Sequence, residues 1–322
     1  MSRADDERGV ALLTVLLLVA VMATLAAGVL EEIRFSIRRT ANAEAVGQAR
    51  WYAMGAEQLA RAQVARLAAS GSVAGAWSGR GASFPVEGGL IRARIDDGAA
   101  CFNLNSVVAG APDAYRRNDE GVRQFVNLAS ALGLRRREGE MLAAALVDWI
   151  DSDPLREASG AEDESYGSAD GGYLTSGALL AEPSELRAVR GFTPEVYRRL
   201  RPFVCALPAA QLSPLNINTI PEEKAVLIGM LAPEPLPPEA ARRLIAARPP
   251  QGWTRSDFLA LPAVIAAALP AEASGQLTDT SSWFRLETEV TLGDAEAVAT
   301  SLLARDAAGR VRVVARRWGP EE

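Results

Sequence analysis

Eight carboxylates crowd one stretch of this chain. Asp148, Asp151, Asp153, Glu157, Glu162, Asp163, Glu164 and Asp170 fall within DWIDSDPLREASGAEDESYGSAD, residues 148–170, with Arg156 as the single cation. The stretch carries −7 against −6 for the whole chain, so the remaining residues are close to neutral. Oxygen donors gathered without histidine or cysteine suit a hard cation, Ca²⁺ ahead of Mg²⁺. The EF-hand loop does not fit. Taking Asp151 as its first position puts Leu155 and Arg156 where an acid and a glycine are needed. Two carboxylates can also cleave a glycosidic bond, but that chemistry needs one of the pair held neutral, and nothing here separates an acid from a base.

Placement adds a reason for a cation. LAAALVDWI reads as a helix that Pro154 cannot continue, so Asp148, Asp151 and Asp153 crowd its C-terminal end. Carboxylates there oppose the helix dipole by about 0.3–1 kcal/mol each, and a bound cation reverses the sign. From the residues alone two readings stand: a solvated acidic surface loop, or a site for one or two divalent ions.

Composition removes several other kinds of chemistry. The 322 residues include no histidine, which excludes Ser-His-Asp and Cys-His catalysis and every His-ligated metal. No enzyme is expected. Lys224 is the only lysine, and a net charge of −6 argues against broad electrostatic binding of nucleic acid. Cys101 and Cys205 suit a disulfide if the chain is exported and buried thiols if it is cytosolic.

The elements that must position the acidic stretch begin with an apolar run. Val10 to Leu30 is 21 residues without a charge, long enough as a helix to span the roughly 30 Å of a bilayer core. The acid-rich leader MSRADDERG fits a cleavable secretory signal poorly. Arg3 and Arg8 before the run, and Arg34, Arg38 and Arg39 after it, do not orient it by charge. No proline follows before Ala69, and Ile33, Ile37, Trp51, Met54, Leu59, Val64 and Leu67 recur at helical spacing. One helix is expected from Val10 to Ala69, broken by SGSVAGAWSGRGAS.

LIRARID and FRLETEVTL then alternate as half-buried strands, and SLLAR with VRVVARRW forms a last hairpin around residues 306–309. Between them, VRQFVNLASALGL, EGEMLAAALVDWI, SELRAVRGF, PEVYRRLRPFV, EEKAVLIGML, PEAARRLIAAR and RSDFLALPAVIAAAL read as amphipathic helices. A lone early strand needs partners that the late strands supply, so the helices are an insertion into one sheet. Asn103-Leu104-Asn105-Ser106 is echoed by Asn216-Ile217-Asn218-Thr219, two capping turns that open two helical subdomains. Thr219 with Glu222 has the spacing of a capping box.

The leader ending in glycine, the apolar start RGVALLTVLLL and the single long helix resemble the type IV pilin and pseudopilin class. In that class a prepilin peptidase cuts after the glycine, here between Gly9 and Val10. Most members carry glutamate at the fifth mature residue; here Thr14 stands there, and a non-acidic residue at that place resembles minor pseudopilin K of type II secretion. WIDSD followed by GAED and Tyr166 resembles the calcium-binding region of that family.

The resemblance covers the whole chain and implies an α+β fold: a long N-terminal helix on a small antiparallel sheet, with a large all-α insertion. It divides the chain into a leader (1–9), a transmembrane helix (10–30), its periplasmic continuation (31–69) and first strands (70–105). A helical subdomain with the acidic loop (106–210), a second, helix-hairpin-helix-like one (211–276) and C-terminal strands (277–322) follow. It implies Asp151, Asp153, Glu162 and Asp163 as Ca²⁺ ligands. Asp148 and Glu164 stand as outer candidates, Asp148 because it can face the helix interior. It also implies a single-pass inner-membrane protein with its bulk in the periplasm. The expected partners are minor pseudopilins I and J in a tip complex, the prepilin peptidase, inner-membrane lipid and secreted substrates. Export puts Cys101 and Cys205, at either end of the first subdomain, in an oxidising space. A disulfide is expected there, with two buried thiols as the alternative.

The rival is a membrane-anchored DNA receptor. NINTIPEEKAVLIGML and LRAVRGFTPEVYRRL both resemble helix-hairpin-helix units, which grip phosphates through backbone N–H groups of a glycine-rich hairpin. Only Arg190-Gly191-Phe192 approaches that hairpin, and residues 232–238 after the first unit contain no glycine. Arg136, Arg198, Arg199, Arg242 and Arg243 supply a patch at most. Nucleic acid is not an expected partner.

Overall fold

The computed structural model describes residues 3–69, 78–167 and 172–319. Helix α1 runs unbroken over Arg3–Ala69, as a proline-free segment rich in Ala and Leu allows. From Leu12 onward its apolar first part is exposed, and the helix is long and apolar enough to cross a membrane, with mean hydropathy 2.6 in its most apolar window.

Farther along, α1 packs on the sheet through a stripe of small residues: Ala49, Ala53, Ala56, Ala60 and Val64. This differs from the spacing argument. Trp51 is 74% exposed and Leu59 63%, Ile33 and Ile37 also face outward, and Val64 lies on the packed stripe; the Leu67 side chain lies outside the described residues. Alanine at these positions lets the helix axis approach the sheet closely, while the large residues face outward.

The sheet has five antiparallel strands in chain order: β1 (Arg80–Val86), β2 (Gly89–Asp97), β3 (Trp283–Leu292), β4 (Ala295–Arg305) and β5 (Val311–Trp318). On β3 every second residue is buried, Phe284, Leu286, Thr288, Val290 and Leu292, as the alternation requires. The opposite face pairs charges across β2 and β3, with Arg92–Glu289 at 2.6 Å and Arg94–Glu287 at 2.7 Å. These exposed pairs favour the observed register more than they add stability. β1 falls where the sequence reads as a Gly/Ser-rich break: Gly81, Ala82 and Ser83 pair with Arg94, Ala93 and Arg92. At the β1–β2 turn a Cβ on Gly89 would lie 1.8 Å from the Thr291 carbonyl oxygen, so only glycine lets β3 approach there.

One buried charge fixes α1 to the far edge of the sheet. Glu57, 1% exposed, accepts from Arg316 at 2.7 and 2.9 Å and from the Ser301 hydroxyl at 2.7 Å. Burial pushes its carboxyl up, but Arg316 and Ser301 outweigh that and hold it below the usual range. Arg61 donates to the Val311 carbonyl at 2.9 and 3.1 Å, and Arg50 lies over the Trp318 ring.

The helical insertion, here the head, leaves the sheet after Asp97 and returns at Trp283. All the expected helices appear within it, several shorter than their patterns. α2 (Asp119–Ala131) packs on α3 (Arg136–Ile150), whereas SELRAVRGF is a 3₁₀ turn over Pro183–Ala188 and EEKAVLIGML divides into two single turns. One apolar core, from Phe102 to Leu277, runs through both halves of the head. α2 joins them: Arg123 donates to the carbonyls of Leu231 and Ala232, and Asn127 to those of Met230 and Ala232.

The Asn-x-Asn echo has a structural meaning. Asn103 accepts from the Asn105 N–H, and Asn216 from the Asn218 N–H. Asn105 then grips both the N–H and the C=O of Leu180, as Asn218 does with Trp253. Ser106 donates back to the carbonyl of Asn103, and the Thr219 hydroxyl oxygen lies 3.1 Å from the carbonyl of Asn216. The capping box does not form. Pro221 precedes the turn that Glu222 begins, and the Thr219 hydroxyl is taken by Asp97, 122 residues away.

Candidate metal centre

α3 ends at Ile150, and the chain turns away with Asp151 as the cap. The loop from 151 to 162 then leads to a single helical turn, Asp163–Tyr166. The returning segment is tied back to α3, since the Ser176 and Gly177 N–H groups both donate to the Trp149 carbonyl at 3.1 Å. Trp149, Tyr166 and Tyr173 stack against one another at 5.3–6.0 Å, forming an aromatic wall beside the loop.

This frame brings together most of the acids that the sequence marks. Asp148 and Asp151 are buried, and three carboxylate oxygens in the cluster are buried without a hydrogen-bond partner: Asp148 Oδ2, Asp151 Oδ1 and Glu162 Oε1. Burial, then the fields of Asp153, Asp148, Glu162 and Glu157, push the Asp151 carboxyl up to about 7. Burial also raises Asp148 and Glu162. Gly160 presses its backbone against Asp148, and a Cβ there would meet Oδ2 at 1.9 Å. Orphaned, mutually repelling oxygens under an aromatic wall are an arrangement that a hard cation would relieve.

Three of the marked residues are already engaged, Asp148 through Oδ1, which accepts the Glu157 N–H at 2.9 Å. Asp163 accepts the Thr175 N–H at 2.8 Å and its hydroxyl at 2.7 Å, which hold its carboxyl below the usual range. Asp153 accepts the Leu155 N–H at 3.0 Å. Glu164 stands apart, lining an open cleft with Arg156, Arg187, Arg190, Tyr166 and Tyr173. Asp170 lies outside the described residues. Among the described residues no three acids already stand as an ion cage. Sequence reasoning missed Thr175, which positions Asp163, and Arg117, which pairs with Glu157 at 2.9 Å. Neither carries a local signal, because each reaches the loop from another segment.

Cys101 and Cys205 form a disulfide, across the short parallel pairing of Phe102–Asn103 with Val204–Cys205. The hairpin of the DNA reading is spent internally. The N–H groups of Arg190, Phe192 and Thr193 go to the Tyr166 hydroxyl and the carbonyls of Val189 and Gly191. Arg136, Arg198 and Arg242 pair with acids on their own helices.

Comparison with known proteins accounts for this architecture. Two models described as "Type II secretion system (T2SS), protein K" match residues 100–209 and 215–278, which together cover more than half of the chain. The chain belongs to the type II secretion system protein K family. A protein K from Pectobacterium carotovorum is 35% identical over 97% of both chains, and one from Klebsiella pneumoniae is 36% identical over the same shares. A solved GspK–GspI–GspJ complex from enterotoxigenic Escherichia coli contains a similar chain, with a TM-score of 0.74 and 29% identity. The match covers 88% of this chain and all of that one. The long helix, antiparallel sheet and inserted helices are thus the protein K fold. The two matched segments meet between residues 209 and 215, just before the second Asn-x-Asn turn of this family member.

Proposed function

We propose that this chain is a minor pseudopilin that stands at the tip of the type II secretion pseudopilus, where it starts or caps assembly for export of folded proteins. The observation that carries this reading is where the head is attached. β2 runs from Gly89, whose end of the sheet packs on Ala49 and Ala53, to Asp97, whose end packs on Ala60 and Val64. The head therefore departs from the end of the sheet farthest from the apolar third of α1, and a subunit stacked above would collide with it. Thr14 agrees with this place. The class glutamate is thought to pair with the N-terminal amine of a neighbour already in the fibre, and an end subunit can lack that neighbour.

Prepilin peptidase cuts between Gly9 and Val10, and the apolar start of α1 then holds the subunit in the inner membrane, with sheet and head in the periplasm, until that helix packs in the fibre. Minor pseudopilins I and J are its partners in the tip. The relative with a solved structure is bound to GspI and GspJ, and exposed Phe35, Ile37, Trp51 and Leu59 offer apolar surface along α1. The subunit has no catalytic role. The acidic loop holds structural calcium through Asp151, Asp153, Glu162 and Asp163 beside Asp148, the ion supplying the positive charge that the orphaned oxygens lack.

The mass of the N-terminal peptide tests the pilin part of this reading. A peptide that begins at Val10, N-methylated, only in cells with the peptidase is the expected result. A chain still beginning at Met1 would contradict it.

A further inference from the structure

The two bodies of this chain share no apolar core. The head's cluster lies within residues 102–277, and the two clusters beneath the sheet draw only on α1 and the strands. Among the described residues, a polar junction joins them where the chain crosses. Asp97, the last residue of β2, is buried and accepts from the Thr219 hydroxyl at 2.5 Å, the Ser281 hydroxyl at 2.5 Å and the Ala99 N–H at 2.8 Å. Ser281 in turn receives Asn216 Nδ2 at 2.9 Å, so the second Asn-x-Asn turn is tied to the sheet through the same carboxylate. Lys224 Nζ reaches the Ala100 carbonyl at 3.3 Å. Arg317 of β5 also meets Glu182 of the head at 3.3 Å, a surface pair that solvent screens.

Bodies joined by small polar interfaces move relative to each other unless something fixes them. We infer that residues 100–278 are an articulated head whose angle on the helix-and-sheet core is set by Asp97, latched onto Thr219 and Ser281. Each body has its own means of staying folded. The head keeps its core, its disulfide and both asparagine clasps; the sheet keeps α1 and the Glu57–Arg316 pair. Releasing the latch therefore frees a hinge at residues 97–100 and 278–282 without unfolding either side. The inference rests on the junction alone and holds wherever in a fibre the subunit stands.

The test uses the full chain in lipid nanodiscs, spin-labelled through non-native ketone side chains at exposed Glu296 on β4 and Arg243 in the head helix Pro238–Ala246. The unaltered chain should give one narrow distance peak. Asp97→Ala should lose that peak to a broad distribution while amide protection persists in both head and sheet. Thr219→Val, which removes one donor and adds no charge, should broaden the peak less. A distribution unchanged in both variants would overturn the inference. Joint loss of protection in head and sheet would also overturn it, because Asp97 would then hold the fold and not the angle.

Discussion

Replacing Cys101 and Cys205 with serine lowers the thermal midpoint of the head by roughly 10–20 °C, as expected when a loop of about 100 residues loses about 4.7 kcal/mol of closure entropy. The bond spans 104 residues and closes the first half of the head where its chain begins and ends. Its partners there are short: Phe102–Asn103 pairs with Val204–Cys205 over two residues, which cannot hold the ends together unaided. Because the sheet has separate apolar clusters, its own transition should stay in place. Calorimetry of oxidised chain and serine variant decides the matter. A head transition that moves by less than about 2 °C would mean that the head core alone closes the loop.

Chelating calcium lowers the same head transition, and the effect depends on pH. An ion held at a hundred to a thousand times its dissociation constant stabilises a fold by about 3–4 kcal/mol. The sign with pH follows from Asp151. Its carboxyl is raised from 3.8 to about 7 by burial and by four neighbouring acids. Without an ion, the stability this group gives is complete below about pH 4 and is lost as pH climbs towards 7. A bound cation removes that loss, and its ligands must be deprotonated to bind it. EGTA should therefore destabilise the head strongly at about pH 8 and little at about pH 5. Terbium emission sensitised by the adjoining Trp149 and Tyr166 should report the same site and vanish in Asp151→Asn with Asp153→Asn. A head midpoint indifferent to EGTA at the higher pH would leave the loop a solvated acidic surface.

Much of this architecture is legible in the residues. The absence of proline over 60 residues and of charge over 21 marks α1, and alternation marks β2, β3 and the last hairpin. The NLNS and NINT turns announce a repeated device, which the clasps on Leu180 and Trp253 explain. The misreadings share one physical cause: the deciding partner lies far away in sequence. Alanines carry little hydropathy, so spacing favours Trp51 and Leu59 over the stripe that packs. Gly81-Ala82-Ser83 has no strand propensity and is made a strand by β2. The T-x-x-E spacing at Thr219 is local, but Asp97 competes for its hydroxyl and wins. Glu57 carries no local signal, because Arg316, which neutralises it, lies 259 residues on. In the acidic loop the donors are plain, whereas Thr175 and Arg117, which decide which of them are engaged, are not.

The tip position is the claim on which the functional account turns, and labelled fibres test it most directly. Pseudopili assembled from the full set of pseudopilins would be decorated with gold-tagged antibody against the head and viewed by electron microscopy. Gold at one end of each fibre, and nowhere along its length, is the result expected from a head mounted beyond Ala60 and Val64 on the distal edge of the sheet. Gold spaced along the shaft would show that subunits stack above the head, and the tip assignment would fall.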